Sequence, residues 1–368
     1  MAGRLKVLNC IANPHNRAGF EVAAAFAAYA AEGGCAFESE LWVPGAADSF
    51  AGVPNRAAGV RCPTGPRCIL ALRRLLLAEP PALIHCHDVP SATTVALART
   101  VTHTPPAVLS VYAPLPRRTP RKPLRDVRAR AFLWSLRRAF GAVVAPSAYA
   151  REIVISRSGF SPGKVTAIPF GIEPPDMSAA GAKSGSSVDV ALLPIDLRSG
   201  RRRAAILYFL QSAALILRGE GDAAFLLPCC AEDESYVQAA LVSMALSHRV
   251  TVSASQSLFG TLASADIAVL PTGDFEGIRP LVHAMAAGKA IIAPDLRGVR
   301  EFVEPETTGL LIRPNDAQAL ADAVLRLSSS LSERTRLALA ASAAARSRFS
   351  SRRLARSLCD LYSRLTGQ

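Results

Sequence analysis

Long apolar runs are missing from this chain of 368 residues. The longest charge-free stretch of note, Ala204 to Leu217, falls short of the roughly 20 residues that span a bilayer. The first apolar run, Val7 to Ala12, follows Lys6 and is too short for the core of an export signal. Cysteine patterning is also missing. The eight cysteines show no repeated spacing, and Cys62 and Cys68 stand in a loop, so neither a disulfide framework nor a zinc module is expected. A reducing cytoplasm fits such a chain. No period of 20–50 residues recurs, which excludes solenoids and propellers. Acidic residues are the scarce charge: 29 against 42 basic ones, for a formal net charge of +13. That balance points to anionic partners such as a nucleotide or a lipid headgroup. It is equally consistent with solubility and arginine-rich codon usage. No aromatic platform accompanies the basic residues, which argues against specific nucleic-acid recognition.

What is present is alternation. Strand signals at Leu5–Ile11, Phe37–Val43, Ala82–His85, Ala107–Tyr112, Ala142–Ala145 and Val165–Pro169 are separated by helix signals. The helices are expected at Phe20–Ala31, Ile69–Ala78, Ser91–Thr100 (with Ser91 as cap), a basic segment, and Ala148–Ser156. This βαβα order predicts a parallel sheet covered on both faces. Pro174-Pro175 then opens a Ser/Gly/Ala-rich linker through Ser187. Alternation resumes with strands at Val188–Leu193, Ala223–Leu227, Val250–Val252, Ile267–Leu270 and Gly309–Ile312. Helices are expected at Ala204–Leu217, Ser235–Ser247, Leu258–Ala263 and from Ala317. The reading is of a domain over residues 1–175, a linker over 176–187, a second domain over 188–347, and a C-terminal helix over 348–368 crossing back to the first. Two α/β halves joined by a linker leave a cleft between them, a favoured ligand site.

The most telling stretch is Glu276-Gly-Ile-Arg-Pro-Leu-Val-His-Ala-Met-Ala-Ala-Gly-Lys-Ala-Ile-Ile-Ala293. It reads as a loop, a helix opening at Pro280, a stop at Gly288, and a buried strand. A loop entering a helix N-terminus beyond a parallel strand is where α/β proteins hold anionic ligands.

With Ser264-Ala-Asp-Ile-Ala-Val-Leu-Pro271, Gly298-Val-Arg-Glu-Phe-Val303 and Thr308-Gly-Leu-Leu-Ile-Arg-Pro-Asn-Asp316, this segment resembles the retaining glycosyltransferases of family 4. In the first half, Ile84-His-Cys-His-Asp88, Val143-Val-Ala-Pro-Ser147 and Lys164-Val-Thr-Ala-Ile-Pro-Phe-Gly-Ile-Glu173 extend the resemblance. It implies the GT-B fold: two Rossmann-like, doubly wound parallel-sheet domains facing a cleft. It implies transfer of a sugar from a nucleotide-diphosphate donor to a glycan or lipid acceptor with retention, without a metal or other cofactor. In such a protein, basic side chains and helix-end amides stabilise the diphosphate leaving group, and carboxylates orient the sugar.

The resemblance assigns Glu276 and His87 to catalysis. It places Arg198, Arg201, Arg202, Gly277, Ile278, Arg279, Pro280, Leu281 and His283 on the donor, and Asn16, Gly19 and Tyr112 on the acceptor side. The sequence departs from the family at several of these positions. His283 stands where the family has its second glutamate, in a loop one residue short. Pro194-Ile-Asp-Leu-Arg-Ser-Gly-Arg-Arg-Arg203 replaces the usual Gly-Arg pair. Tyr112 replaces a strand-end histidine, and Phe170-Gly171 replaces Asn-Gly. A catalytically degenerate relative that binds or scaffolds is therefore the alternative. His85 and His87 lack a nearby third ligand, so no metal site is expected.

Arginine crowds Arg117 to Arg138. Leu124, Val127, Ala131 and Trp134 fall on one helical face, and Arg121, Arg125, Arg128 and Trp134 suit contact with an anionic membrane surface. The competing reading is a cover helix whose apolar stripe packs on the sheet.

Overall fold

The computed structural model describes residues 4–13, 16–44, 49–50, 53–57, 65–99, 105–112, 123–172, 187–194, 199–219, 223–253, 258–271 and 275–368. They form two compact units. Unit 1 comprises Met1–Gly171 with Ser350–Gln368, and unit 2 comprises Ile172–Phe349. All of the expected linker, 176–187, except Ser187 lies outside the described residues.

Unit 1 carries strands β1 (Leu5–Cys10), β2 (Phe37–Trp42), the short antiparallel pair β3 (Ser49–Phe50) and β4 (Val53–Pro54), β5 (Leu83–Cys86), β6 (Ala107–Ser110), β7 (Ala142–Ala145) and β8 (Val165–Ala167). Its helices are α1 (Arg17–Ala31), α2 (Pro66–Ala78), α3 (Val89–Ala98), α4 (Pro123–Ala139) and α5 (Ala148–Ser158). The main sheet is parallel, in the order β2-β1-β5-β6-β7-β8. All four residues of β5, β6 and β7 are buried, as a strand covered on both faces requires.

Unit 2 repeats the plan with β9 (Val188–Leu192), α6 (Ser199–Arg218), β10 (Ala223–Pro228), α7 (Glu234–Ser243), β11 (Val250–Ser253), α8 (Leu258–Ser264), β12 (Ile267–Val269), α9 (Phe275–Ala286), β13 (Ala290–Pro294), α10 (Arg297–Arg300), β14 (Leu310–Ile312), α11 (Ala317–Ser329) and α12 (Leu331–Arg348). The sheet order is β11-β10-β9-β12-β13-β14, again parallel. Its core joins Phe209 and Ile216 of α6, Phe225 and Leu227 of β10, and Leu320 and Leu327 of α11.

The last helix, α13 (Ser351–Thr366), belongs to unit 1. Leu354, Leu358, Leu361 and Tyr362 recur at helical spacing and join Phe26 of α1 and Phe37 of β2 in one cluster. Ser350 caps the helix at Arg353 N, and Gly367 ends it in the left-handed conformation at φ 75°. A Cβ on Gly171 would stand 2.7 Å from Leu354 Cβ and from Ser351 Cα, so only glycine permits this approach.

Several expected boundaries move. Helix α9 starts at Phe275, and Pro280 lies inside it rather than in its first turn. Proline lacks an N–H, so the carbonyl of Glu276 has no i+4 partner. Helix α6 starts at Ser199, not Ala204, and takes Arg201–Arg203 into its opening turns. Helix α3 is capped by Asp88, not Ser91: the Asp88 carboxylate accepts from Ser91 N. Helix α7 ends at Ser243, short of Ser247, because Ala245 turns to φ 56°.

Of the expected apolar face of α4, Val127, Ala131 and Trp134 are exposed, and the Leu124 side chain lies outside the described residues. Val127 is 62% and Trp134 57% exposed, while Leu133 and Leu136 fill the core.

Candidate functional site

In each sheet the strand order reverses once, and ligands of open α/β sheets bind beyond the strand carboxyl ends at such a reversal. In unit 1 it falls between β1 and β5. In unit 2 it falls between β9 and β12. The candidate residues are therefore those on the loops and helix starts that follow these four strands.

In unit 2, α9 follows β12. Ile278, Pro280 and Leu281 are buried, so their side chains serve the core, and Gly277 is buried and has none; only main-chain atoms here could face a ligand. With Phe275 as first helical residue, the amides of Phe275, Glu276 and Gly277 fall among the four that a helix leaves without an internal partner, and the Ile278 N–H is the first inside the ladder. That corrects the wider span of amides expected from a start at Pro280. Pro280 has no N–H, and the Leu281 N–H lies within the helix ladder. Arg279 is partly exposed, and His283 is buried, with its ring edge-on to Phe259 at 5.3 Å between centroids. Glu276 lies in the first turn of α9, and its side chain is outside the described residues, as is Arg198 altogether.

Helix α6, following β9, brings Arg201, Arg202 and Arg203 to the same edge. Arg201 is exposed. Arg202 is paired within the protein: its Nε meets Asp233 Oδ2, and Arg203 Nε donates to Asp233 Oδ1 at 2.7 Å. Asp233 is fully buried, and Cys230 donates its thiol to the same Oδ2 at 3.3 Å. Burial opposes ionisation, yet the hydrogen bonds from Arg203 and Arg202 hold the Asp233 carboxyl below its ordinary range. The Arg203 guanidinium also lies over the Tyr236 ring, 5.1 Å from its centroid.

In unit 1 the reversal gathers Asn16, Gly19, His87 and Asp88. Asp88 binds three amides. Its Oδ2 accepts from Ala12 N and Asn13 N, each at 2.9 Å, and its Oδ1 accepts from Ser91 N at 2.7 Å. One carboxylate thus ties the loop after β1 to the start of α3. Asn16 caps α1 at Gly19 N and donates Nδ2 to the His87 carbonyl at 2.7 Å. Gly19 is required by space: a Cβ there would stand 2.8 Å from His87 Cβ and 2.7 Å from Asn16 Nδ2.

His87 and His85 are buried, their rings 4.0 Å apart. His87 Nε2 contacts Asn9 Oδ1 at 2.9 Å, and its Nδ1 contacts the Tyr112 hydroxyl at 3.0 Å. His85 Nδ1 contacts the Tyr362 hydroxyl at 2.6 Å, and its Nε2 contacts Ser110 Oγ at 2.8 Å. Burial pushes both imidazoles down, His87 to about 3, so both are neutral at physiological pH. Burial likewise raises the Tyr112 and Tyr362 hydroxyls. Tyr112 stays partly exposed and stacks on Phe170 at 5.5 Å.

Of the membrane-facing set, Arg121 and the side chains of Arg125 and Arg128 lie outside the described residues. Trp134 is exposed beneath the Arg138 guanidinium, 5.5 Å from its ring centroid. Among the described residues no cluster of three or more His, Cys, Asp or Glu could hold a metal ion, and no helix is long and apolar enough to cross a membrane.

Sequence reasoning missed Asn9, Asp88, Asp233 and Tyr362. Asp88 was signalled, since an Asp two residues ahead of Pro90 marks a helix start. The arginine partners of Asp233 lie 30 and 31 residues away and the histidine partner of Tyr362 lies 277 away, beyond the reach of local patterns.

Two family models match the chain: Glycosyltransferase Family 4 over residues 16–175 and Glycosyl transferases group 1 over residues 197–330. A relative, the amylovoran biosynthesis glycosyltransferase AmsK of Erwinia amylovora, is 36% identical over 110 residues, which cover 28% of this chain and 27% of that protein. The chain thus matches about a quarter of that relative's length. Among solved structures, the sucrose-phosphate synthase of Thermosynechococcus elongatus superposes with TM-score 0.78 at 18% identity, over 99% of this chain and 100% of that one. Anabaena HepE in complex with UDP and glucose gives 0.70 at 16% identity, over 98% and 100%. At these identities the likeness shows the fold alone, the GT-B arrangement of two Rossmann-like units.

Proposed function

We propose that this chain, built of a Glycosyltransferase Family 4 domain followed by a glycosyl transferases group 1 domain, transfers a hexosyl group from a nucleotide-diphosphate sugar to a glycan or lipid-linked acceptor with retention of configuration. The setting we infer is cell-envelope polysaccharide synthesis, in the cytoplasm at the inner membrane face. The observation that carries this reading is the edge of unit 2. There α6 brings arginines, and α9 brings Glu276 and the amide of Gly277, to the two sides of the strand-order reversal.

In this reading Glu276 orients the sugar, and the α9 amides meet it or the phosphates. Arg201 balances the diphosphate as negative charge builds on the leaving group. Arg202 supports it from its pair with Asp233. The diphosphate needs no metal there. His87 and Tyr112, with Asn16 and Gly19, shape the acceptor side in unit 1. The exposed Val127 and Trp134 on basic α4 rest on anionic lipid.

The test is turnover of a panel of UDP- and GDP-sugars, read as release of the nucleotide diphosphate with metal chelated. Glu276→Gln is expected to cut turnover about 100-fold through lost orientation of the donor. Unchanged turnover removes Glu276 from the site. No binding of any nucleotide sugar by calorimetry removes the transferase reading itself. Co-sedimentation with vesicles containing phosphatidylglycerol, diminished by Trp134→Ser and by added salt, tests the membrane contact.

A further inference from the structure

Tyr112 stands just past the carboxyl end of β6, partly exposed, with its hydroxyl 3.0 Å from His87 Nδ1. The direction of that bond can be worked out from the far end of the chain it belongs to. Asn9 donates Nδ2 to Ser39 Oγ at 2.9 Å, which leaves its Oδ1 toward His87 Nε2, also at 2.9 Å. With the Asn9 amide in this orientation its oxygen faces His87, and an amide oxygen only accepts, so Nε2 carries the imidazole hydrogen. A neutral imidazole has one N–H, and burial keeps His87 neutral. Nδ1 is therefore a lone pair, and the hydrogen in the Tyr112 bond belongs to Tyr112.

We infer that Tyr112 is wired to present lone pairs only, and that the ligand group it reads is a hydrogen-bond donor, a hydroxyl in the first instance. The assignment of that ligand as a sugar or glycan hydroxyl rests on the transferase reading. The polarity does not. A phenol with a free hydrogen could serve a phosphate or carboxylate as donor. Tyr112, with its hydrogen committed to a buried nitrogen, would set an anion against its own lone pairs. This separates the two units by chemistry: arginine and helix amides for the anionic leaving group in unit 2, an acceptor oxygen for a hydroxyl in unit 1.

The groups around the chain do not disturb it. His85 is the nearest titratable neighbour, is itself held neutral by burial, and has both ring nitrogens occupied by Tyr362 and Ser110. Burial first, and then the negative charges of Asp88 and Glu21, keep the Tyr112 hydroxyl protonated, against an opposing hydrogen bond from Ser110 that is smaller than the burial effect.

The test is nitrogen NMR on the full chain labelled with ¹⁵N-histidine, where the two ring nitrogens report which carries hydrogen. His87 is expected as the neutral Nε2–H form from pH 8 down to pH 5. In Tyr112→Phe it keeps that tautomer because Asn9 still accepts, while the Nδ1 resonance moves on losing its donor. An Nδ1–H form of His87 in the wild type overturns the inference, since Tyr112 would then hold a hydrogen free for a ligand. So does a His87 that protonates between pH 8 and pH 5. Nucleotide-sugar turnover decides the other reading independently. An Nε2–H His87 in a protein that consumes no UDP- or GDP-sugar keeps the polarity and retires the transferase.

Discussion

Tyr362→Phe removes one oxygen from the interior of unit 1 and nothing else. The ring keeps its edge contacts with Phe26 and Phe37, at 5.1 and 5.8 Å between centroids, so packing is conserved. What is lost is the 2.6 Å hydrogen bond to His85 Nδ1. His85 is wholly buried, and water cannot take the vacated place without opening the core. A buried polar atom deprived of its partner costs about 1–3 kcal/mol. With a urea slope of about 2 kcal/mol/M, the midpoint should fall by roughly 1 M for a loss of about 2 kcal/mol. The chain offers a selective probe: its two tryptophans, Trp42 and Trp134, both lie in unit 1. Trp42 is 1% exposed. Urea unfolding followed by tryptophan fluorescence therefore reports unit 1 without a contribution from unit 2. A midpoint within about 0.2 M of wild type, equivalent to under ~0.5 kcal/mol, would refute the claim that this hydroxyl secures the last helix.

Three further perturbations follow from the same geometry. Gly19→Ala should destabilise unit 1 by about 1–3 kcal/mol, because its Cβ meets a backbone-fixed His87 Cβ; an unchanged urea midpoint would show that the loop yields freely. Stability of unit 1 should fall with acid well above the carboxylate range. His85 and His87 are depressed in the fold and ordinary when unfolded, so the unfolded chain binds more protons below about pH 6.5. The contribution is complete above that pH and declines toward the folded value of about 3 for His87, by up to about 1.4 kcal/mol per pH unit for each imidazole. Tryptophan-monitored stability that stays flat from pH 6.5 to 5 contradicts it. Asp233→Asn should cost unit 2 about 1–3 kcal/mol, discounted for the half-exposed Arg203, and should speed hydrogen exchange in α6 and α7. It should also flatten the acid limb, because a depressed carboxylate stabilises above its unfolded pKa and loses that contribution as pH falls through the folded one. Unaltered exchange in both helices would show that the pair contributes nothing.

The parallel sheets could be read from the chain because buried strands such as Ala142–Ala145 and Ala290–Pro294 are apolar throughout and bounded by breakers. Helix starts were less readable. Pro280 mimics a first-turn proline, while the real start five residues earlier lacks a strong signal of its own. On α4, Leu133 and Leu136 mark one apolar face and Val127 and Trp134 another. Periodicity finds both, but only the position of the sheet decides which is covered. Asn16, Gly19, His87 and Tyr112 were found as residues but not as a group, because what joins them is the adjacency of β1, β5 and β6. The buried carboxylate that holds Arg202 was invisible for the same reason.

The return of α13 to unit 1 has a consequence for the order in which the chain becomes a protein. Leu354, Leu358, Leu361 and Tyr362 complete the cluster around Phe26 and Phe37, yet during synthesis they follow the whole of unit 2. The sheet of unit 1 is therefore translated first and finished last. Until then its core waits with one wall missing, while unit 2 has all its residues already. A premature stop within α13 would do its damage some three hundred residues upstream, in strands already made.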